Sequence, residues 1–307
     1  MALLDRALVR ALPAVPKPVV RRISARYIAG TELADACRVV RELNAEGKTA
    51  TVDVLGEEIA NPEEAAAIRD AYVDALETFE RQGVDSNVSV KPTGLGLELD
   101  YDLCARNVEA IVSAAARVGR FVRIDMEDSS TTDATLRMYR ELRSAGHGNV
   151  GVVLQARLRR TPDDIAALAD LKPNVRLCKG IYLEPADIAY TDYEEIRAAF
   201  VRALDDLFRG GGYVGVATHD AFLIDHAKRL VGEHALTSER YEFQMLLGVR
   251  PELGDALVRD AHRLRVYVPF GTHWYEYSLR RLQENPSIAG YVAADTLARL
   301  LPRRNGR

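Results

Sequence analysis

The chain has 307 residues, which is enough for two ordinary domains or for one α/β barrel, since such a barrel needs about 250 residues. Hydrophobic residues make up 48% and charged residues 28%, which excludes a chain that is disordered, collagen-like or coiled-coil throughout. The net charge of -4 argues against a generic nucleic-acid binder, which would usually be basic.

The first thirty residues are basic, with six Lys or Arg side chains against the single acid Asp5. A basic amphipathic arm can rest on an anionic membrane surface. The plainer interpretation is a solvated helix face, interrupted by Pro13, Pro16 and Pro18. No stretch approaches 18 consecutive apolar residues, so no transmembrane helix is expected. We expect a cytoplasmic protein, and the sequence leaves open whether residues 1–30 touch the inner face of the cytoplasmic membrane.

Neither cysteine nor histidine spacing indicates a metal site. The three cysteines Cys37, Cys104 and Cys178 lie far apart and form no CxxC pair. Such cysteines fit reduced thiols better than a disulfide framework or a zinc site. The six histidines form no HxH or HExxH motif.

Eight short segments rich in Val, Ile, Tyr or Phe follow residue 45, and each is typical of a strand. They are 49–55, 87–92, 120–126, 149–156, 174–180, 213–220, 240–246 and 264–270. Helical patterns lie between them. At 61–83, Asn61 is a predicted N-cap, Pro62 a first helical residue and Gly83 the stop. A second helix, over 161–171, is expected to be capped at Thr161.

Strands that alternate with helices predict parallel βα units, and eight such units close a barrel. The sequence therefore predicts a (βα)8 barrel over 47–307, preceded by a helical arm over 1–46. A doubly wound open sheet is the alternative. A dinucleotide fingerprint gives it little support, because GLGLELD (94–100) lacks the third glycine and the following helix start.

Polar residues stand at or near the ends of most predicted strands, where barrels carry their functional groups. They are Lys91, Asp125, Gln155, Arg176, Lys179, Thr218, His219, Asp220 and Tyr267. Strand alternation puts Arg123 and Asp125 on one face, as it does Ser89 and Lys91. Ions in a barrel mouth are costly to desolvate unless they are paired or bind a ligand. This group therefore predicts a site for an anionic ligand, although each residue alone could simply meet water at the rim.

The segment 265–286 continues from the last strand into a predicted helix. Tyr277, Arg280, Arg281 and Glu284 fall at spacings that share one helix face. Adjacent arginines can bind one carboxylate with bidentate geometry. An exposed basic helix turn is the commoner outcome for such a pair, but two tyrosines on the approach would offer a flat wall for a small apolar body.

A set of longer stretches, in a fixed order, covers nearly the whole chain. They are SARYIAG (24–30), VDVLGE (52–57), SVKPTGLG (89–96), RIDMED (123–128), VLQARLRRTPDD (153–164), VRLCKGIYLEP (175–185), VATHD (216–220), YEFQMLLGVRPE (241–252) and the segment 265–286. In these stretches the chain resembles the monofunctional bacterial proline dehydrogenases. The resemblance implies a distorted α/β barrel of the TIM type, with an N-terminal helical arm and a C-terminal helix covering the barrel mouth.

The resemblance also implies roles for single residues. Lys91, Arg280 and Arg281 would hold the carboxylate of proline, and Tyr267 and Tyr277 would pack against its ring. The implied catalytic residues are Asp125, beside Lys91, and Arg176, near N5 of the flavin. The implied contacts to FAD are Met126, Gln155, Arg176, Lys179, Gly180, Ile181, Thr218, His219 and Glu284. Ile181 departs from the family, which usually has alanine there.

The activity that the resemblance implies is FAD-dependent oxidation of L-proline to Δ1-pyrroline-5-carboxylate, the first step of proline catabolism to glutamate. Electrons would pass to a membrane quinone, and a separate pyrroline-5-carboxylate dehydrogenase would use the product. Two other readings of the residues remain open. One is a lyase or aldolase in which Lys91 or Lys179 forms a Schiff base. The other is a barrel that binds an amino acid without catalysis.

Overall fold

Eight parallel strands form one closed barrel in chain order, as the sequence predicts. The computed structural model describes residues 20–21, 25–56, 59–275 and 277–278. The strands are β1 (Thr49–Val54), β2 (Ser86–Val90), β3 (Val122–Ile124), β4 (Val150–Gln155), β5 (Asn174–Cys178), β6 (Tyr213–Ala217), β7 (Tyr241–Leu246) and β8 (Leu264–Phe270). The helices are α1 (Leu33–Ala45), α2 (Pro62–Gln82), α3 (Tyr101–Arg117), α4 (Thr132–Ser144), α5 (Thr161–Leu168), α6 (Tyr193–Arg209), α7 (Ala221–Glu233) and α8 (Pro251–Arg259).

The first and last strands close the ring. β1 pairs with β8 from Thr49 opposite Arg265 to Val54 opposite Phe270. This pairing excludes the open doubly wound sheet, which would leave two free edges. Most strands end one to three residues before the predicted ends. The polar residues beyond them belong to loops at the carboxyl rim of the barrel, where they are free to face a ligand.

Local signals at helix ends are confirmed at α2; at α5 the predicted start at Thr161 is confirmed, but the side-chain cap is absent. The Asn61 side chain accepts a hydrogen bond from the Glu64 N–H at 2.9 Å, and Gly83 ends α2 with φ of 62°. At α5 the expected cap Thr161 is instead the first helical residue, and its hydroxyl donates to the Gln155 carbonyl at 2.6 Å. The Thr161 hydroxyl thus bonds to the Gln155 carbonyl at the end of β4 and does not cap the helix.

The described part of the predicted arm packs against the barrel. α1 buries Ala36, Cys37 and Val40 in the same apolar cluster as the barrel strands and helices. The Ala29 N–H donates to the Pro269 carbonyl at 2.9 Å. A domain boundary at 46/47 stays a prediction. At the other end, helical backbone begins at Trp274, and the rest of the predicted covering helix lies outside the described residues. None of the described helices is long and apolar enough to cross a membrane.

Most strands turn apolar side chains outward to the helices and polar ones into the barrel, whereas Val153 on β4 and Ala217 on β6 also face the cavity. Val88 and Val90, for example, are fully buried under helices. The inward-facing polar set is Thr51, Asp53, Ser89, Arg123, Asp125, Gln155, Arg176, Glu242, Gln244, Arg265 and Tyr267. A barrel interior usually holds layers of branched apolar side chains. Here it holds charges, which must be paired because each is costly to desolvate.

Glu242 is a carboxylate buried in this interior, with 2% of its surface exposed. It accepts hydrogen bonds from Arg265 Nε at 2.8 Å and from Gln244 Nε2 at 2.6 Å. Burial alone would raise the pKa of this carboxyl, but the Arg265 guanidinium outweighs burial and lowers the pKa below its usual value. The charged form of Glu242 therefore stabilises the fold above the unfolded-state pKa of about 4.3, and this stabilisation is lost as the pH falls through the lower folded-state pKa.

Replacing this carboxylate should destabilise the barrel strongly. Glu242→Gln leaves Arg265 buried without its charge partner, so we expect the free energy of unfolding at pH 7 to fall by about 3–5 kcal/mol. The difference from wild type should shrink below about pH 4 as Glu242 gains a proton. Denaturant unfolding across pH measures both effects, with the exposed Glu77→Gln as the matched control. Equal stability of the two variants at pH 7 would contradict this account.

Candidate active site at the carboxyl end of the barrel

A cavity of about 890 Å³ opens at the carboxyl ends of the strands. Parallel strands of a barrel end at one rim, so residues far apart in sequence meet there. The cavity is lined by eleven of the residues that the sequence predicted as functional: Lys91, Asp125, Met126, Gln155, Arg176, Lys179, Gly180, Ile181, Thr218, His219 and Tyr267. The structure therefore brings the predicted strand-end residues into one site.

Arg176 and Asp125 form the ion pair at the centre of this site. Arg176 Nη1 lies 2.7 Å from Asp125 Oδ1, and the two side chains are only 9% and 13% exposed. The Ser89 hydroxyl donates to the same carboxylate oxygen at 2.7 Å. Arg176 Nε donates to Gln244 Oε1 at 2.6 Å. The guanidinium is therefore held from two sides, and its orientation toward the cavity is fixed.

Tyr267 connects this pair to Lys91, which follows the neighbouring strand β2. Its hydroxyl donates to Asp125 Oδ2 at 3.1 Å and accepts from Lys91 Nζ at 3.2 Å. Its ring lies under the Arg176 guanidinium, with the Arg176 Cζ 5.3 Å from the ring centroid. Burial, with the nearby Asp125 carboxylate, raises the pKa of Tyr267 well above its ordinary value. The phenol therefore stays protonated and acts as a fixed bridge.

The carboxylate that touches Lys91 directly is one that the sequence reasoning missed. Lys91 Nζ lies 2.6 Å from Asp53 Oδ2, and Asp53 is fully buried. The resemblance implies Asp125 beside Lys91; the two residues follow neighbouring strands, and the Tyr267 hydroxyl links their side chains. Asp53 stands one residue before the end of β1, on the inward face it shares with Thr51. The alternation of β1 was the signal that could have found it.

The ends of β4 and β5 form one wall of the cavity, and this wall has no room for a side chain at Gly180. Gly180 has φ of 96°, a conformation that glycine adopts most readily. A Cβ on Gly180 would lie 2.9 Å from Gln155 Oε1 and 2.8 Å from the Arg157 side chain. Gln155 is itself fixed, because its Nε2 donates to the Glu127 carbonyl at 2.7 Å. This wall thus presents the side-chain amide of Gln155 directly beside the backbone of Gly180.

A second charged cluster surrounds Asp220, farther out along the cavity. Asp220 accepts from Lys179 Nζ at 3.3 Å, from Arg197 Nε at 2.9 Å and from the Tyr193 hydroxyl at 2.7 Å. Burial alone would raise the pKa of Asp220, but these donors hold it below its ordinary value. Strand-end reasoning found Lys179 and Asp220. It missed Arg197 and Tyr193 because they lie on α6.

The imidazole of His219 is held by a backbone amide of β7, toward which its Nε2 points. Its Nε2 accepts from the Leu246 N–H at 2.9 Å. A ring nitrogen that accepts from an amide carries no proton, so the neutral ring must be protonated at Nδ1. Thr218 beside it is only 5% exposed, and its hydroxyl accepts from the Asp220 N–H at 3.2 Å.

Tyr277 is not among the residues that line the cavity, but it is an electrostatic neighbour of Tyr267, which does line it. It is buried in a small apolar cluster with Ile28 and Leu55, and Trp274 packs against that cluster. The other three members of the predicted helix face, Arg280, Arg281 and Glu284, lie outside the described residues. Their roles stay predictions.

The family model described as proline dehydrogenase matches residues 36–294, most of the chain. The chain belongs to the proline dehydrogenase family. Among curated proteins, proline dehydrogenase 1 of Bacillus subtilis subsp. natto is 39% identical over 267 residues, which cover 87% of this chain and 88% of that protein. The proline dehydrogenase of Deinococcus radiodurans is 37% identical over 279 residues, with 90% of each chain covered. Proline dehydrogenases are oxidoreductases, and the resemblance seen in the sequence is thereby confirmed.

A solved structure supports the fold. Proline utilization A from Bdellovibrio bacteriovorus, inactivated by N-propargylglycine, superposes with a TM-score of 0.82 at 22% identity. The match covers 90% of this chain and 36% of the solved chain, so this proline dehydrogenase spans about a third of that protein. The barrel described above is thus similar to one part of a much longer polypeptide.

Proposed function

We propose that the protein oxidises L-proline to Δ1-pyrroline-5-carboxylate with FAD as its cofactor. The observation that carries the proposal is the chain of fixed side chains across the cavity, from Lys91 through Tyr267 to Asp125 and Arg176. It offers two cations near one tyrosine ring, with Lys91 Nζ 5.9 Å and Arg176 Cζ 5.3 Å from the Tyr267 centroid. This arrangement suits a small substrate with a carboxylate at one end and a ring at the other.

A second group of residues that line the cavity fits a flavin dinucleotide. The cavity of about 890 Å³ is large enough for more than an amino acid, and Gly180 leaves backbone bare where a flat ring could approach closely. Lys179 supplies a cation for the phosphates. The residues that would hold FAD are Met126, Gln155, Arg176, Lys179, Gly180, Ile181, Thr218 and His219, with Glu284 as a further contact. When bound, FAD would accept a hydride from the substrate.

The chain's own groups would bind and orient the substrate. Lys91 would bind the carboxylate together with Arg280 and Arg281, while Tyr267 and Tyr277 would pack against the ring. Arg176 and Asp125 are the proposed catalytic residues. The fixed guanidinium of Arg176 stabilises negative charge that develops beside it, without any movement during the reaction. Cations around a bound amine also disfavour its protonated form, and only the unprotonated nitrogen can form the imine.

The contacts of the two cavity lysines favour this proposal over a Schiff-base mechanism. A lysine that attacks a carbonyl must be neutral and is usually desolvated without a carboxylate beside it. Lys91 is in contact with Asp53 at 2.6 Å, and Lys179 with Asp220 at 3.3 Å. Each lysine therefore has a carboxylate beside it. A cation suits carboxylate or phosphate binding better than nucleophilic attack.

The route of the electrons and the location of the protein form part of the same proposal. We propose a membrane quinone as the final acceptor, and a cytoplasmic enzyme that touches the inner face of the membrane through residues 1–30. The six basic side chains of that segment support this contact, because they would be attracted to anionic lipid. A separate pyrroline-5-carboxylate dehydrogenase would consume the product.

The proposal is tested by the colour of the purified protein. Protein reconstituted with FAD should show a flavin absorption band at about 450 nm. L-Proline added in the absence of oxygen should bleach this band, because the flavin is reduced. A coloured protein whose band does not change with proline would contradict the substrate. A protein that cannot retain FAD would favour the lyase or the non-catalytic binding barrel.

Adding one methyl group at Gly180 should weaken flavin binding. Gly180→Ala places a Cβ against Gln155 and Arg157 at a φ of 96°, so the wall must shift. We expect the Kd for FAD to rise about tenfold or more, which corresponds to roughly 1.4 kcal/mol. Gly148→Ala is the matched control, since its added Cβ meets no atom within 4 Å. Equal FAD affinity in the two variants, measured by fluorescence titration, would contradict the placement of the flavin.

Tyr267 should exclude substrates that carry a hydroxyl on the ring. Its ring cannot swing away while its hydroxyl bridges Lys91 and Asp125, so kcat/KM for proline should exceed that for 4-hydroxyproline by about tenfold or more. Tyr267→Ser should narrow the ratio by making room. Tyr267→Phe keeps the ring but removes the hydroxyl that holds it, so it should lower the preference for proline less than Tyr267→Ser does. If Tyr267→Ser discriminated as strongly as wild type, the ring would not be the excluding group.

A further inference from the structure

Asp53 is a charged residue of this site that the proposed function does not use. Its carboxylate is fully buried and is not among the groups that line the cavity. It touches the cavity only through Lys91, whose Nζ lies 2.6 Å from Asp53 Oδ2. A group in this position cannot contact a substrate in the cavity directly. Its direct contact with a cavity side chain is the one with Lys91, and it also acts through space on Tyr267, whose pKa it helps to raise.

Tyr72 holds Asp53 from the other side. This tyrosine comes from α2, and its hydroxyl lies 3.0 Å from Asp53 Oδ1 and 2.7 Å from the Ser89 carbonyl oxygen. The same hydroxyl accepts from the Val54 N–H at 3.1 Å. Burial raises the pKa of Tyr72 well above its ordinary value, so the phenol stays a donor. Both carboxylate oxygens of Asp53 are therefore in contact with a partner: Oδ2 with Lys91, and Oδ1 with the Tyr72 hydroxyl, which shares its single proton between Asp53 and the Ser89 carbonyl.

We infer that Asp53, held by Tyr72, is the positioning residue that fixes the Lys91 ammonium on the substrate-binding wall. This inference rests on the proposed role of Lys91 in binding the substrate carboxylate. A lysine side chain has four rotatable bonds and reaches many positions unless its end is tied. Asp53 on β1 and the Tyr267 hydroxyl on β8 tie it from two neighbouring strands. Asp53 also balances a cation that is only 14% exposed.

The arrangement predicts where the effect of Asp53 appears in kinetics. If Lys91 binds the carboxylate equally in the ground state and the transition state, loss of its anchor raises KM and leaves kcat nearly unchanged. A purely structural role would lower the amount of folded holoenzyme and would show no such separation. Rates are therefore expressed per bound flavin.

The test is a double-mutant cycle on the holoenzyme with Asp53→Asn and Lys91→Met. The probe is tetrahydrofuran-2-carboxylate, a proline isostere whose ring carries an ether oxygen in place of the amine. We expect Asp53→Asn to weaken its binding about tenfold, a size common for coupled charged neighbours, with the same change in KM for proline. In the Lys91→Met background, Asp53→Asn should weaken binding of the probe by less than about twofold.

The outcomes separate the inference from the function on which it rests. If Lys91→Met leaves the affinity for the probe unchanged, the assigned role of Lys91 fails, and the inference with it. If Lys91→Met weakens the probe but Asp53→Asn does not, only the inference about Asp53 fails. An equal effect of Asp53→Asn in both backgrounds would also overturn it.

Tyr72→Phe provides a second variant in case Asp53→Asn does not fold. It keeps the buried ring and removes only the hydroxyl that engages Asp53 Oδ1. We expect it to weaken binding of the probe by roughly threefold. The lost hydroxyl contacts Asp53, and Asp53 in turn holds the lysine that binds the probe. The effect should again vanish in the Lys91→Met background. Wild-type affinity in Tyr72→Phe would contradict the part assigned to Tyr72.

Discussion

The buried ion pair between Arg176 and Asp125 is the interaction on which the rest of this site depends. Two charges inside a barrel are stable only if each is paired and hydrogen-bonded, because desolvation costs several kcal/mol per ion. Arg176 satisfies this with Asp125 and Gln244, and Asp125 with Arg176, Ser89 and Tyr267. Ser89, Arg176, Gln244 and Tyr267 lie on four different strands, and Asp125 directly follows a fifth. The pair therefore fixes the relative positions of five strand ends around one cavity.

The same constraint extends through the whole barrel interior. Successive hydrogen bonds and ion pairs join Arg265, Glu242, Gln244, Arg176, Asp125, Tyr267, Lys91, Asp53 and Tyr72. Positive and negative groups alternate along this series, with neutral Gln244 and Tyr267 as bridges. An interior built in this way is rigid where an apolar one would allow repacking. It presents cations at fixed points, and fixed cations bind an anionic group without loss of side-chain entropy on binding.

Much of the fold could be predicted because each β-rich segment carries its own signal. The eight strands and the α2 caps follow from residue types within a few positions of one another. The site was only partly predictable, because strand-end position says which residues reach the rim but not how they pair. Asp53 was missed since it lies before the end of β1. Tyr72 was beyond reach, because only the packing of α2 on the barrel brings its hydroxyl between β1 and β2.

Structure determination of the FAD-loaded enzyme with tetrahydrofuran-2-carboxylate tests the central claim most directly. The account predicts the flavin ring against Gln155 and Arg176, and the carboxylate of the probe within hydrogen-bond distance of Lys91 Nζ. The Arg176–Asp125 pair should remain intact, because the site is already arranged before the ligand binds. A flavin bound elsewhere, or a carboxylate bound away from Lys91, would contradict the claim that this polar interior arranges the oxidation of proline.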